Sequence, residues 1–142
     1  MNTEALIEPG AQGVSDQIIV RLPYGLLGFE KIKKYVLLAK PEEDPFMWLQ
    51  MTEGDKKAFL IISPFLVLPD YQPDIPTADV TFLELNEPAD ALVFGICTLR
   101  GRTGSTINLK GPLVVNRHTL IGKQVIPQNA DQYSLTYPLP VV

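Results

Sequence analysis

The stretch Asn108-Leu109-Lys110-Gly111-Pro112-Leu113-Val114-Val115-Asn116 constrains the fold more than any other part of this chain. Gly111 admits backbone angles that other residues avoid, and Pro112 fixes φ and removes a hydrogen-bond donor. Leu113, Val114 and Val115 then suit a pleated, buried strand. The sequence describes either one strand that bends or two short strands with a sharp joint. Nothing in the segment points to chemistry; its constraint is on shape.

Around this anchor the chain reads as short strands and turns. Ile18, Val20 and Leu22 alternate with Ile19 and Arg21, the period of a strand. Pro23 to Phe29 is a structured turn that Leu26, Leu27 and Phe29 pack down. Tyr35 to Ala39 is a second strand, ended by Pro41-Glu42-Glu43-Asp44-Pro45, whose acids belong in water. Phe46 to Met51 and Ala58 to Ile62 flank a polar turn and form a hairpin. Pro64, Pro69, Pro73 and Pro76 punctuate an irregular crossing, because a central strand does not accommodate so many prolines. Thr77 is placed to cap a short helix through Leu83 or Leu85, with Asp79 in its first turn.

Ala91 to Leu99 is an apolar strand, Arg100 to Gly104 its hairpin tip, and Ser105 to Leu109 pairs back. Thr119 to Ile126 reads as the last core strand, with Gly122 as a bulge. Tyr133, Leu135, Tyr137 and Leu139 alternate, but Pro138 and Pro140 restrict residues 133–142 to an edge or an arm. Residues 1–16 are a loose lead. With at most one or two short helices and no βαβ rhythm, the expected class is all-β, a small single-domain β-barrel of short antiparallel strands. A length of 142 residues suits one domain, and an apolar fraction of 46% supplies a continuous core without metals or disulfides.

Charge narrows the function classes. There are 16 acidic and 12 basic residues, for a net charge of -4, whereas a nucleic-acid binder normally carries a basic excess. Direct nucleic-acid binding is therefore not expected; a mildly acidic protein is better matched to a basic protein partner. The lone Cys97 lies in an apolar run and reads as a small buried hydrophobe, in keeping with a reducing compartment. The N-terminus lacks the pattern of a signal peptide, and Ala58 to Leu68 is too short and too broken to span a bilayer. A cytoplasmic protein with no membrane partner is the expectation.

A search for chemistry returns no assembled set. His118 is the single histidine, and no cysteine pair accompanies it, so no metal site is expected. Ser15, Ser63, Ser105 and Ser134 show no nucleophile-elbow pattern. Glu42, Glu43 and Asp44 are neighbours in an exposed loop rather than a catalytic pair across a cleft. Arg100, Arg102 and the glycines around them suggest an anion-holding hairpin tip, which motivates a second reading: a β-barrel that binds a flavin or another phosphate-bearing cofactor. A third, a hydrolase using His118, rests on that residue alone. The expectation is no catalytic residue, no cofactor and a binding protein.

Several motifs stand in order: Pro23-Tyr24-Gly25-Leu26-Leu27-Gly28-Phe29-Glu30, Pro45-Phe46-Met47-Trp48-Leu49-Gln50, Ala58-Phe59-Leu60-Ile61, Tyr71-Gln72-Pro73-Asp74-Ile75, the Asn108–Asn116 stretch and Gly122-Lys123-Gln124-Val125-Ile126. Together, from about Ile18 to Ile126, they resemble the flagellar assembly factor FliW family. The resemblance implies a small β-barrel and a cytoplasmic regulator of flagellum building. It implies two partners, flagellin and the RNA-binding translational repressor CsrA. Such proteins sequester CsrA and relieve its repression of flagellin translation, and flagellin competes for them.

Candidate partner-binding residues follow from the motifs and the residue types. Asn108, Asn116 and Gln124 either satisfy backbone groups at the bend or face a partner through their amides. Glu43, Phe46 and Trp48 make an acidic and aromatic loop; Trp48 reads as core or as an interface anchor. Tyr71, flanked by Pro69 and Pro73, is an exposed aromatic candidate or a packed loop anchor.

Overall fold

Apolar residues repeating every second position build most of this molecule, and a break in that repeat shapes one end of it. A computed structural model describes residues 18–101 and 104–140. Eight strands are present among them: β1 (Ile18–Arg21), β2 (Lys34–Ala39), β3 (Met47–Met51), β4 (Ala58–Ile62), β5 (Ala91–Thr98), β6 (Thr106–Asn116), β7 (Gly122–Gln124) and β8 (Tyr137–Pro138). Two short helices, α1 (Pro64–Val67) and α2 (Thr77–Phe82), lie between β4 and β5. The strands β1 to β7 pair in sequence order, all antiparallel, and β8 pairs with β6. The sheet curls until Arg21 of β1 meets Ile121 in a parallel bridge, where Arg21 N–H donates to the Leu120 carbonyl at 3.0 Å. The result is an all-β, barrel-like sheet.

One face of each strand fills the interior. Val20, Leu22, Tyr35, Leu37, Leu49, Met51, Ile61, Leu113 and Val115 form a buried cluster, sealed by Phe29 and Phe59 in an edge-on contact at 5.3 Å. Complete burial of each such aliphatic side chain contributes about 1.5–3 kcal/mol. The opposite faces carry two further clusters on the outside. Leu60, Ile62, Cys97, Ile107 and Leu109 lie under Tyr71 and the C-terminal arm. Val114 and Val125 lie under Leu83, just beyond α2. That helix is fastened by Lys123, whose Nζ contacts the buried Asp79 carboxylate and lies 5.1 Å from the centre of the Tyr24 ring.

The Gly111-Pro112 break resolves as one strand that bends. Phe94 pairs with Leu113 and Ile96 with Asn108, so Gly95 alone faces the four residues Leu109–Pro112. The surplus on β6 is a large bulge. A Cβ on Gly95 would collide with the Ile107 side chain, so the residue opposite the bulge has to be small.

Other expectations need correction. Gly122 is not a bulge: it pairs in register with Val115, and a Cβ there would lie 2.9 Å from the Val114 carbonyl oxygen. Only Gly122–Gln124 of the Thr119 to Ile126 run is strand, because Leu120 turns the chain with φ 61°. The proline-rich crossing begins with a single helical turn, since proline is well placed at the first helical position. Thr77 is the first residue of α2 rather than its cap; Pro76 holds the cap position, and no side chain caps that end. Leu26 and Phe29 pack the first turn down, but Leu27 is 62% exposed.

Candidate protein-interaction surface

The bend in β6 leaves backbone groups without ladder partners, and two side-chain amides supply them. Asn108 Oδ1 accepts from the N–H groups of Lys110 (2.8 Å) and Gly111 (3.0 Å). Gln124 Nε2 donates to the Gly111 carbonyl at 3.0 Å, and its Oε1 accepts from Leu27 N–H at 2.9 Å. Lys110 Nζ donates to the Ala130 carbonyl at 3.1 Å, tying the bulge to the segment before the C-terminal arm. A backbone group left unpaired here costs ~1–3 kcal/mol, so these amides are what makes the bend tenable.

The same residues form one end of the barrel. Asn108 pairs with Ile96 and Gln124 with Leu113, and both of those partners face the interior. Asn108 and Gln124 therefore line a cleft of about 230 Å³ with Phe59, Ile96 and Thr98, under Leu26 and Phe29. Leu27 (62% exposed) and Leu135 (58% exposed) stand on its rim. No periodic pattern marks Leu27 as a surface residue, and a hydrogen bond across 97 positions decides where it sits; Leu135 stands in the alternating run of the C-terminal arm.

A second group of candidates meets at the start of β3. The Trp48 indole N–H donates to Glu43 Oε1 at 2.8 Å, which fastens the 3-10 turn Pro41–Glu43 to the strand. Phe46 and Trp48 are half-buried against the outer cluster, on which Tyr137 and Leu139 of the arm also pack. Both are packed and still reach solvent.

Two candidates turn inward. Tyr71 is 2% exposed, donates its hydroxyl to the Leu109 carbonyl at 2.8 Å and meets Tyr133 edge-on at 4.7 Å. Burial raises its phenol pKa well above the usual range, with the Tyr133 hydroxyl adding to the effect. Of the two readings of Tyr71, the exposed aromatic falls and the packed loop anchor holds. Asn116 is 3% exposed. Its Nδ2 donates to the carbonyls of Leu83 (2.8 Å) and Glu84 (3.3 Å), and its Oδ1 accepts from the N–H groups of His118 and Thr119. It holds the end of α2 to the β6–β7 turn and offers no side-chain surface.

His118 is exposed and its Nε2 lies 3.0 Å from Asp90 Oδ1. Asp90 accepts through Oδ2 from Asn86 and Glu87 N–H, and the Asn86 hydrogen bond, opposed by burial and joined by His118, holds its carboxyl below the usual range. Asp90 therefore shapes a turn, with His118 beside it. Cys97 is buried, and burial pushes its thiol up to about 11. Among the described residues, no group of three His, Cys, Asp or Glu side chains is placed to hold a metal ion. No helix among them is long and apolar enough to cross a membrane. Arg100 N–H donates to Ser105 Oγ at the hairpin tip, whereas Arg102 lies outside the described residues, as does the lead 1–16.

The fold has a counterpart in known proteins. The family described as FliW protein matches residues 7–139 of this chain. The chain belongs to the FliW family. Flagellar assembly factor FliW of Leptospira interrogans is 41% identical over 132 residues, covering 91% of this chain and 88% of the relative. The FliW of Caldicellulosiruptor bescii is 37% identical over 131 residues, covering 92% and 85%. That of Treponema denticola is 40% identical over 110 residues, covering 76% and 74%. A crystal structure of the flagellar assembly factor FliW superposes with a TM-score of 0.76 at 34% identity, covering 86% of this chain and 85% of the other. The amide-braced bend and the first turn that it grips thus belong to a FliW-family barrel, and the relatives are named as assembly factors.

Proposed function

We propose that this protein is a non-enzymatic, cytoplasmic regulator of flagellar assembly that binds CsrA and flagellin in mutually exclusive states, relieving repression of flagellin translation by sequestering CsrA. Membership of the FliW family over most of the chain carries this reading. The site supports it in kind: braced backbone, exposed leucines and half-buried aromatics suit recognition of a protein surface, and binding needs no nucleophile or base. A rigid surface loses little entropy on association.

The contact surface in this reading joins the Asn108–Gln124 end of the barrel, with Leu27 and Leu135 as apolar contacts, to the Glu43–Phe46–Trp48 edge. Asn108 and Gln124 act by holding the shape. The test is calorimetric titration of purified CsrA and, separately, purified flagellin into the protein. Saturable binding of both at micromolar concentration or below is expected, with Leu27→Asp and Leu135→Asp weakening at least one. Absence of binding to either protein would overturn the proposal.

A further inference from the structure

On the outer face of the sheet, a groove opens beside the cluster under Leu83. Val93 and Val114, paired across β5 and β6, form the floor of a groove of about 480 Å³. Val80 and Leu85 line it from the α2 side, and Phe65 and Ile75 from the crossing segment. It shares no lining residue with the cleft at the Asn108–Gln124 end.

The rim is acidic. Glu87 lines the groove directly, Asp74 sits between the lining residues Pro73 and Ile75, and Glu84 precedes Leu85. All three are exposed, and none is in an ion pair among the described residues. The two ion pairs nearby involve other acids, Asp79 with Lys123 and Asp90 with His118. The rim is also held firmly: Asp90 accepts from Asn86 and Glu87 N–H, and Asn116 donates to the Leu83 and Glu84 carbonyls. A preformed groove of this kind takes a ligand without first having to be ordered.

We propose that this groove docks a segment of a second protein that presents a short row of aliphatic side chains flanked by lysine or arginine. The floor and walls match the aliphatic row, and the rim matches the flanking charge. A second copy of this chain, with its net charge of -4, would bring like charge to the rim. An anionic membrane surface would meet the same repulsion. The inference goes beyond the proposed function, since it requires neither CsrA nor flagellin to be the occupant.

The test uses two synthetic peptides with leucines at the same positions, one with lysines between them and the other with glutamates. Methyl resonances are followed by NMR. The lysine peptide is expected to shift the methyls of Val80, Leu85 and Val93, with the glutamate peptide binding roughly tenfold weaker. Added salt should weaken the lysine peptide. The double variant Asp74→Lys/Glu84→Lys should lower its affinity by about tenfold while circular dichroism and melting stay unchanged. Equal binding of the two peptides, shifts confined to other faces, or no groove shifts at millimolar peptide would each overturn the proposal. An adventitious apolar contact would show the first of these patterns.

Discussion

Gln124 reaches Leu27 across 97 positions of sequence: its Oε1 accepts from the Leu27 N–H at 2.9 Å while its Nε2 holds the Gly111 carbonyl at 3.0 Å. One side chain therefore fixes both the turn after β1 and the bulge of β6. The two most distinctive motifs of the chain, the Pro23–Glu30 turn and the Asn108–Asn116 strand, are joined through it.

Replacing Gln124 by Leu keeps the volume and removes both hydrogen bonds. The expected loss is about 1–3 kcal/mol in denaturant unfolding, since the part-buried Gly111 carbonyl loses its donor while the exposed Leu27 N–H can turn to water. Gln124→Glu retains an acceptor for Leu27 N–H but loses the donor to Gly111, so its loss should be the smaller of the two at neutral pH. Equal stability of both variants to the parent would show that the brace is dispensable.

Much of this arrangement was legible in the sequence, and the failures have identifiable causes. Alternation located the first strand, and apolar runs bounded by polar or proline-bearing turns located the next three, up to Ile62. The Gly111-Pro112 break was visible as a break, but its form depended on β5, where Gly95 faces four residues. The sequence misplaces Leu27, and leaves Tyr71 open between exposed and packed, for a common reason. Both lie in turns, where no periodic pattern marks the inner side, and long-range hydrogen bonds set their orientation. Asn116 stayed open between bracing backbone groups and facing a partner because its carbonyl partners, Leu83 and Glu84, are more than thirty residues away.

Tyr71 and Asn116 should behave as structural residues. Tyr71→Phe keeps the ring contacts and removes one hydrogen bond, for a loss of about 1–2 kcal/mol. Asn116→Ala strands several backbone groups at once and should cost more, about 2–4 kcal/mol. Thermal or urea unfolding measures both. A loss of partner binding by folded Tyr71→Phe, without loss of stability, would contradict the structural assignment.

The Asp90 carboxyl is held below its usual range by the Asn86 N–H, with further help from His118 and the Glu87 N–H. The folded state thus binds its proton less readily than the unfolded state, whose carboxyl titrates near pH ~4. This contribution to stability is present above that pH and is lost as pH falls through the lower, folded value. Asp90→Asn should lower stability at neutral pH and flatten the acid limb of the unfolding profile. An acid limb identical to that of the parent protein would remove Asp90 from the account.

Gly122→Ala places a methyl 2.9 Å from the Val114 carbonyl and 2.8 Å from Val115 Cγ2. Backbone cannot yield as a side chain does, so a loss of about 1–3 kcal/mol is expected. Gly95→Ala meets the end of the flexible Ile107 side chain instead and should cost less, provided that Ile107 can shift. Comparing the two unfolding midpoints ranks the contacts, and a reversed order would contradict the packing described for β5 to β7.

The central claim is one scaffold with two exclusive partners. Titrating CsrA into the free protein, then into protein saturated with flagellin, tests it most directly. The account predicts saturable CsrA binding that flagellin abolishes or sharply weakens. CsrA binding that is unchanged by saturating flagellin would contradict it.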